Sequence, residues 1–145
     1  MQQALENIRA VCAGEEDVIA NMATISCELF HGDPRFDWVG FYRNIGNETL
    51  KIGPYQGGHG CLTIPFSRGV CGAAARTRSR VIVDDVNSFE GHIACAASTV
   101  SEIVLPVISG SGALLGVLDI DSDQASAFTQ RDATQLEAML AEVFA

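Results

Sequence analysis

The spacing of apolar residues constrains this fold more than any other feature of the sequence. Three segments carry apolar residues at the period of an α-helix, two at the start of the chain and one at its end. The predicted stripes are Leu5, Ile8, Val11 and Cys12, then Val18, Met22, Ile25 and Leu29, and finally Ala133, Leu136, Leu140 and Phe144. Gly14 is a stop signal for the first helix, and Thr129 with Asp132 forms a capping-box pattern before the last.

Short segments between these helices predict strands. DWVGFYR (37–43) and TLKIG (49–53) suit a pleated, half-buried surface, as does RVIVDDV (80–86). SEIVLPVIS (101–109) and ALLGVLDIDS (113–122) predict a hairpin across a Gly-Ser-Gly turn. The stretch 54–69 is rich in glycine and proline and predicts a loop or bent strand, and VCGAAART predicts a short helix opening at Gly69. Helices at both ends with strands between predict an α+β domain, an antiparallel sheet with the N- and C-terminal helices packed on one face.

Size and charge exclude several classes of function. The chain has 145 residues, which predicts one domain spanning 1–145. Its net charge of −9 argues against nucleic acid and anionic membranes as partners, because both require a basic protein surface. No apolar run approaches the roughly 18–20 residues of a membrane span, and the N-terminus does not have the pattern of a signal peptide, so we expect a cytoplasmic protein.

Five cysteines are therefore expected in a reducing compartment, where an odd number argues against a structural disulfide framework. Cys12 and Cys27 lie on predicted helices, and we assign both to the structure. Cys95 lies in the loop sequence GHIACAAS, three residues after His92, where it is either a reactive thiolate or a packed apolar residue.

Two further cysteines have the same two interpretations. Cys71 lies at a predicted helix N-terminus, where the helix dipole favours a thiolate, or else it packs against the small residues around it. Cys61 follows a glycine-rich segment that can move, or else it is an ordinary residue at the entry to a strand.

Acidic and aromatic residues complete the candidate site. Asp119 and Asp121 are two residues apart on a strand, so their carboxylates face the same way, either into a site or into solvent at the strand end. Glu102 can bring a third carboxylate, and three acids together favour a metal or an amine. Trp38 and Tyr42 share one face of their strand, as the wall of a pocket or as core aromatics.

Taken together, DWVGFY, GPYQG with Cys61 shortly after, GVCG, GHIAC, SEIVLP and GVLDIDS resemble the free methionine-(R)-sulfoxide reductases. These are GAF-fold enzymes that reduce the R epimer of unbound methionine sulfoxide. The resemblance runs from about Gly14 to the last helix and implies a single GAF-like domain with a six-stranded antiparallel sheet. The chain departs from the family pattern at Ala96, where Asp usually follows the nucleophile, and at Asn87, where His is common.

The resemblance also implies roles. Cys95 matches the nucleophile, and Cys61 and Cys71 match the two cysteines that resolve the oxidised intermediate. The residues at substrate-binding positions are Trp38, Tyr42, Glu102, Asp119 and Asp121. The implied reaction proceeds through a cysteine sulfenic acid and an intramolecular disulfide that thioredoxin or a similar dithiol reduces. It uses no cofactor and no metal, and the amphipathic N-terminal helices offer a surface for a homodimer.

Three other interpretations stay open at this point. A non-catalytic ligand-binding module of the same fold would signal through an output domain, and a redox sensor would use the cysteines without an acidic amine pocket. A zinc site formed by Cys61, Cys71, Cys95 and His92 is the third, although these spacings match no closed zinc pattern.

Overall fold

Six strands form one antiparallel sheet in the computed structural model, which describes residues 1–145. The strands are β1 (Trp38–Asn44), β2 (Thr49–Gln56), β3 (Thr63–Pro65), β4 (Val81–Val83), β5 (Ser101–Ile108) and β6 (Leu114–Ser122). Their order across the sheet is β3-β2-β1-β6-β5-β4. The sheet centre is therefore the pairing of β1 with β6, strands that lie far apart in the chain. The α+β class and the six antiparallel strands expected from the sequence are confirmed.

The helices are α1 (Gln2–Val11), α2 (Val18–Gly32), α3 (Gly69–Thr77) and α4 (Gln130–Val143), with a 3₁₀ turn at Val86–Ser88. The N-terminal helices and α4 cover one face of the sheet, as predicted, and enclose its larger apolar core. The short helix α3 packs on the opposite face over a second, smaller core. None of the helices is both long and apolar enough to span a membrane.

Local signals in the sequence are confirmed at the ends of these elements. The Thr129 side chain accepts a hydrogen bond from the Asp132 backbone N–H, and the Asp132 carboxylate accepts one from the Thr129 N–H. This reciprocal capping box satisfies two N–H groups at the start of α4. Gly14 adopts a positive φ of 78° after α1.

Two predicted positions on the helix stripes are wrong. Val11 is 61% exposed because it is the last residue of α1, and Val18, the first residue of α2, is also exposed. Cys27 is exposed, since the buried side of α2 carries Met22, Ile25 and Leu29. Strand β2 also runs to Gln56, further than the five residues expected.

Candidate active site

A pocket lies on the α3 side of the sheet, between α3, the end of the central strands and the loop that follows the 3₁₀ turn. Every residue that the sequence singled out for chemistry lines it except Cys61, which is joined by a disulfide to the lining residue Cys95. The lining residues are Trp38, Tyr42, His59, Gly60, Ile64, Gly69, Val70, Cys71, His92, Ile93, Cys95, Ala96, Thr99, Glu102, Asp119 and Asp121.

Antiparallel register brings the three acids together on the floor of this pocket. Asp119 and Asp121 point to the α3 side of β6, while Ile120 between them packs into the core on the other face. Glu102 on β5 is the direct partner of Asp121 across the ladder. On its other side Asp121 pairs with Trp38 of β1, so one cross-strand row carries an indole and two carboxylates.

The acids have no counterion in the pocket. Asp119 and Glu102 are buried, and one carboxylate oxygen of Asp119 and one of Asp121 are buried without a hydrogen-bond partner. Burial raises the pKa of the Asp119 carboxyl well above its usual range, and the neighbouring carboxylates Asp121 and Glu102 raise it further. Burial also raises the pKa of Asp121, as does the charge of Glu102. Such a cluster either keeps a proton or binds a cation.

Trp38 and Tyr42 form one wall. Both are buried, and their ring centroids lie 6.0 Å apart in a stacked arrangement. The Trp38 ring also stacks on Tyr55 at 5.4 Å. Burial, and after it the negative charge of Asp119, raises the pKa of the Tyr42 hydroxyl, so this group stays a neutral donor. The aromatic residues therefore present an apolar surface with polar tips beside the acids.

Cys61 and Cys95 are joined by a disulfide, with their Cα atoms 5.2 Å apart. Cys61 lies in the loop between β2 and β3, and Cys95 lies in the loop before β5. The bridge therefore ties the loop after β2 to the loop before β5. The sequence had left it open which cysteine pairs with Cys95.

Cys71 is a free, buried thiol in the first turn of α3. The sequence left two interpretations open for Cys71, a thiolate stabilised by the helix N-terminus or a packed residue, and its burial favours the packed residue. Burial raises the pKa of the Cys71 thiol well above its usual value, and the charges of Asp119 and Glu102 raise it further. Both effects disfavour a thiolate at this position.

The family comparison agrees with this geometry. The model of the GAF domain family matches residues 12–143. A free methionine-R-sulfoxide reductase of Escherichia coli (strain K12) is 39% identical over 137 residues, covering 94% of this chain and 82% of that protein. The protein YtsP of Bacillus subtilis (strain 168) is 45% identical over 132 residues, covering 90% of this chain and 80% of that protein. The chain belongs to the GAF-domain family of free methionine-R-sulfoxide reductases.

The fold of this reductase-family chain is also similar to that of a solved structure. The X-ray structure of the free methionine-R-sulfoxide reductase from Neisseria meningitidis, in complex with its substrate, has a TM-score of 0.89 and 38% sequence identity. The match covers 99% of this chain and 87% of that one. The GAF fold and the oxidoreductase class expected from the sequence are thereby confirmed.

The pocket of this reductase-family chain adds a sulfur to the acids for which the sequence raised a metal. Cys71, Glu102 and Asp119 have ligand atoms within 4.8 Å of one another, a donor set that could hold a divalent cation. The pocket is also lined by Ile64, Ile93 and Thr99, apolar and small side chains that no sequence pattern marked as special. A signal existed for Ile93 alone, because it lies inside GHIAC, next to the residues that carried the resemblance.

The pocket has little free space while the disulfide is closed. Its cavity volume is about 30 Å³, which accommodates one or two water molecules.

Proposed function

We propose that this protein reduces free methionine-R-sulfoxide to methionine, and that two of its cysteines are oxidised in this reaction and are then reduced again by an external dithiol. One observation carries the proposal: the Cys61–Cys95 disulfide lies over a pocket whose floor holds three carboxylates without a counterion. A thiol enzyme that acts on a free amino acid requires a pair of cysteines that can form a disulfide and acidic groups that can bind the α-ammonium.

The acids provide the reason for recognising an unbound amino acid. The α-ammonium of the substrate would supply the positive charge that Glu102, Asp119 and Asp121 lack. A methionine sulfoxide within a peptide has an amide nitrogen at that position, which carries no charge. Its binding would leave buried carboxylates unpaired, at a cost of about 1–3 kcal/mol or more for charged groups. We expect Trp38 and Tyr42 to contact the side chain of the substrate.

The first chemical step forms the sulfenic acid. The Cys95 thiolate attacks the sulfoxide sulfur and forms a transient S–S bond with it. This S–S bond and the S–O bond of the substrate then break as the oxygen moves to Cys95. A carboxyl group kept protonated by its buried neighbours, Asp119 or Asp121, protonates that oxygen as negative charge develops. The products are methionine, now reduced by two electrons, and Cys95 as a sulfenic acid.

The second step forms the disulfide. The Cys61 thiol condenses with the Cys95 sulfenic acid, releasing the transferred oxygen as water. A dithiol reductant such as thioredoxin then reduces the disulfide to two thiols and becomes oxidised itself, so that the cycle is balanced. We assign the resolving role to Cys61 rather than Cys71, because Cys61 is the residue bonded to Cys95 while Cys71 stays a buried thiol. The reducing cytoplasm is the compartment that would supply such a dithiol.

The decisive experiment measures consumption of the R and S epimers of methionine sulfoxide, free and peptide-bound, with thioredoxin, thioredoxin reductase and NADPH. Turnover of the free R epimer alone supports the proposal. If the fully reduced protein turns over none of the four substrates, the proposal is wrong, and the ligand-binding module or redox sensor would take its place. Metal content of the purified protein, measured at the same time, tests the rival use of Cys71, Glu102 and Asp119 as metal ligands.

A further inference from the structure

We propose that Trp38 positions the loop that carries Cys61, and so governs how readily Cys61 and Cys95 form their disulfide. This inference rests on the proposed redox role of the two cysteines. It adds a second task to a residue that the proposed function uses only as a wall of the substrate pocket. We call residues 57–61 the Cys61 loop.

One hydrogen bond ties the Cys61 loop to the indole. The Nε1–H of Trp38 donates to the carbonyl oxygen of Gly58 over 2.7 Å. Gly58 lies three residues before Cys61, so the bond fixes the backbone close to the sulfur. Trp38 is 6% exposed and its indole N–H has no other partner.

The Cys61 loop also fits closely against the indole ring of Trp38. A Cβ atom on Gly57 would lie 2.8 Å from Cδ1 of Trp38, and one on Gly60 would lie 3.1 Å from Cζ2 of the same ring. Two glycines of the loop therefore rest directly on the two ends of the indole. Gly57 also has a φ of +112°, a conformation that favours glycine. The loop backbone follows the outline of the indole ring, and side chains at Gly57 and Gly60 would force the backbone away from the ring.

The indole itself is held rigidly. It begins β1 as the ladder partner of Asp121, and it stacks on Tyr55. Gly40, two residues along on the same face of β1, leaves room for the ring, because a Cβ there would overlap it. Trp38 therefore acts as a fixed platform at the edge of the acidic floor.

A fixed platform matters because disulfide formation depends on the effective concentration of one thiol near the other. A loop with several glycines loses much conformational entropy when it is held in one conformation. By holding the loop in place before the bond forms, Trp38 lowers that entropic cost. Loss of its N–H is equivalent to loss of one hydrogen bond, which lowers the equilibrium constant for disulfide formation by roughly three- to tenfold.

The test is a redox titration that needs no substrate. The wild type and the Trp38→Phe variant are equilibrated in buffers of reduced and oxidised glutathione, and the fraction of Cys61–Cys95 disulfide is measured by thiol alkylation and mass spectrometry. In this equilibrium two enzyme thiols are oxidised while one oxidised glutathione becomes two reduced molecules. We expect the Trp38→Phe constant to fall about three- to tenfold. An unchanged constant in a folded variant would overturn the proposal.

Two glycine variants provide an independent test if Trp38→Phe fails to fold. Gly57→Ala would push the loop off the indole, whereas Gly58→Ala has open space around its Cβ and keeps the carbonyl that accepts the hydrogen bond. We expect Gly57→Ala to lower the constant and Gly58→Ala to leave it near the wild-type value. Equal effects of the two substitutions would contradict the proposal.

The titration also separates this inference from the proposed function. If the wild type fails to reduce methionine sulfoxide, the proposed function is wrong, yet the glutathione equilibrium still reports whether Trp38 controls the pair. If the wild type is active and Trp38→Phe changes only the KM for substrate while its glutathione constant stays unchanged, Trp38 is only a wall of the pocket.

Discussion

Cys61 and Cys95 lie 34 residues apart in the chain, yet their Cα atoms are 5.2 Å apart and their sulfurs are bonded. The loops that carry them belong to opposite halves of the sheet, one between β2 and β3 and the other before β5. The disulfide joins these loops beside the pocket whose floor carries the acids of β5 and β6. We expect the redox state of this one bond to control access to the pocket.

Replacement of the proposed nucleophile should abolish catalysis. Cys95→Ser removes the only sulfur proposed to attack the sulfoxide, and a serine hydroxyl at neutral pH is not an equivalent nucleophile. We expect no detectable turnover in the thioredoxin-coupled assay. Cys27→Ser is the matched control, because Cys27 is exposed on α2 and should give wild-type rates. Appreciable activity of Cys95→Ser would refute its assignment as nucleophile.

The stoichiometry of methionine release should distinguish the other two cysteines. The reduced Cys61→Ser variant should form one equivalent of methionine per protein and then stop turning over. Its Cys95 should remain a sulfenic acid, because the variant lacks the thiol that would condense with it. Dimedone labelling of Cys95 with mass spectrometry checks this. Cys71→Ser should still form the Cys61–Cys95 disulfide. If Cys71→Ser stops after one equivalent and Cys61→Ser does not, the two roles are exchanged.

The oxidised protein should not bind its substrate. With the disulfide formed, the cavity volume is about 30 Å³, and we expect an amino acid to need more space than this. Calorimetric titration of oxidised wild-type protein with free methionine, the product, should show no heat of binding. The same titration of the reduced protein is expected to show binding. Comparable affinity in both states would mean that the loops do not close the site.

Neutralising a floor carboxylate should raise stability while it removes activity. The pKa of Asp119 is raised in the folded protein, so the folded state binds more protons than the unfolded state and stability falls as pH rises from about 4 toward neutrality. Asp119→Asn removes this penalty, and we expect about 0.5–2 kcal/mol of added unfolding free energy at pH 7. Chemical denaturation at pH 7 and pH 4 measures it. A destabilised Asp119→Asn variant would argue that Asp119 is paired in solution.

Arg35 should raise the stability of the folded protein at neutral pH, in contrast to Asp119, which lowers it. Its guanidinium forms ion pairs with Asp33 and Asp132 at 2.8 and 2.7 Å, linking the end of α2 to the start of α4. Burial alone would raise the pKa of both carboxyls, but hydrogen bonds from Arg35 leave both pKa values below their usual range. We expect Arg35→Ala to cost about 1–3 kcal/mol at pH 7, since Arg35 is partly exposed.

The pH dependence follows from the direction of these shifts. A carboxyl with a lowered pKa contributes stability above its unfolded pKa of about 3.9 and loses that contribution as pH falls through the folded value. The difference in unfolding free energy between wild type and Arg35→Ala should therefore narrow below pH 4. Arg9→Ala, which removes an exposed ion pair with Glu142, is a control expected to change stability little. If the difference in unfolding free energy between wild type and Arg35→Ala stays constant down to pH 2, the ion pairs are not the source of that difference.

Much of the fold was readable from local sequence because its signals are local. Helical spacing, the Thr129–Asp132 capping box and the alternation in LDID each act within a few residues. The face shared by Asp119 and Asp121 follows from the two-residue period of a strand, and the structure agrees. The spacing predicts buried side chains at Val11 and Val18, but both are exposed. Val11 is the last residue of α1 and Val18 is the first residue of α2, and at a helix end the spacing no longer determines what covers a side chain.

The sequence by itself determined the α+β class, the residue types of the site and, through resemblance, the reductase family. Only the tertiary structure decided that Cys61 is the partner of Cys95, that Glu102 lies opposite Asp121, and that Cys71 is a buried thiol beside acids. The physical reason is that these relationships depend on strand order and register between distant segments. Local spacing fixes which way a side chain points, whereas only the packed sheet fixes which charge or sulfur lies next to it.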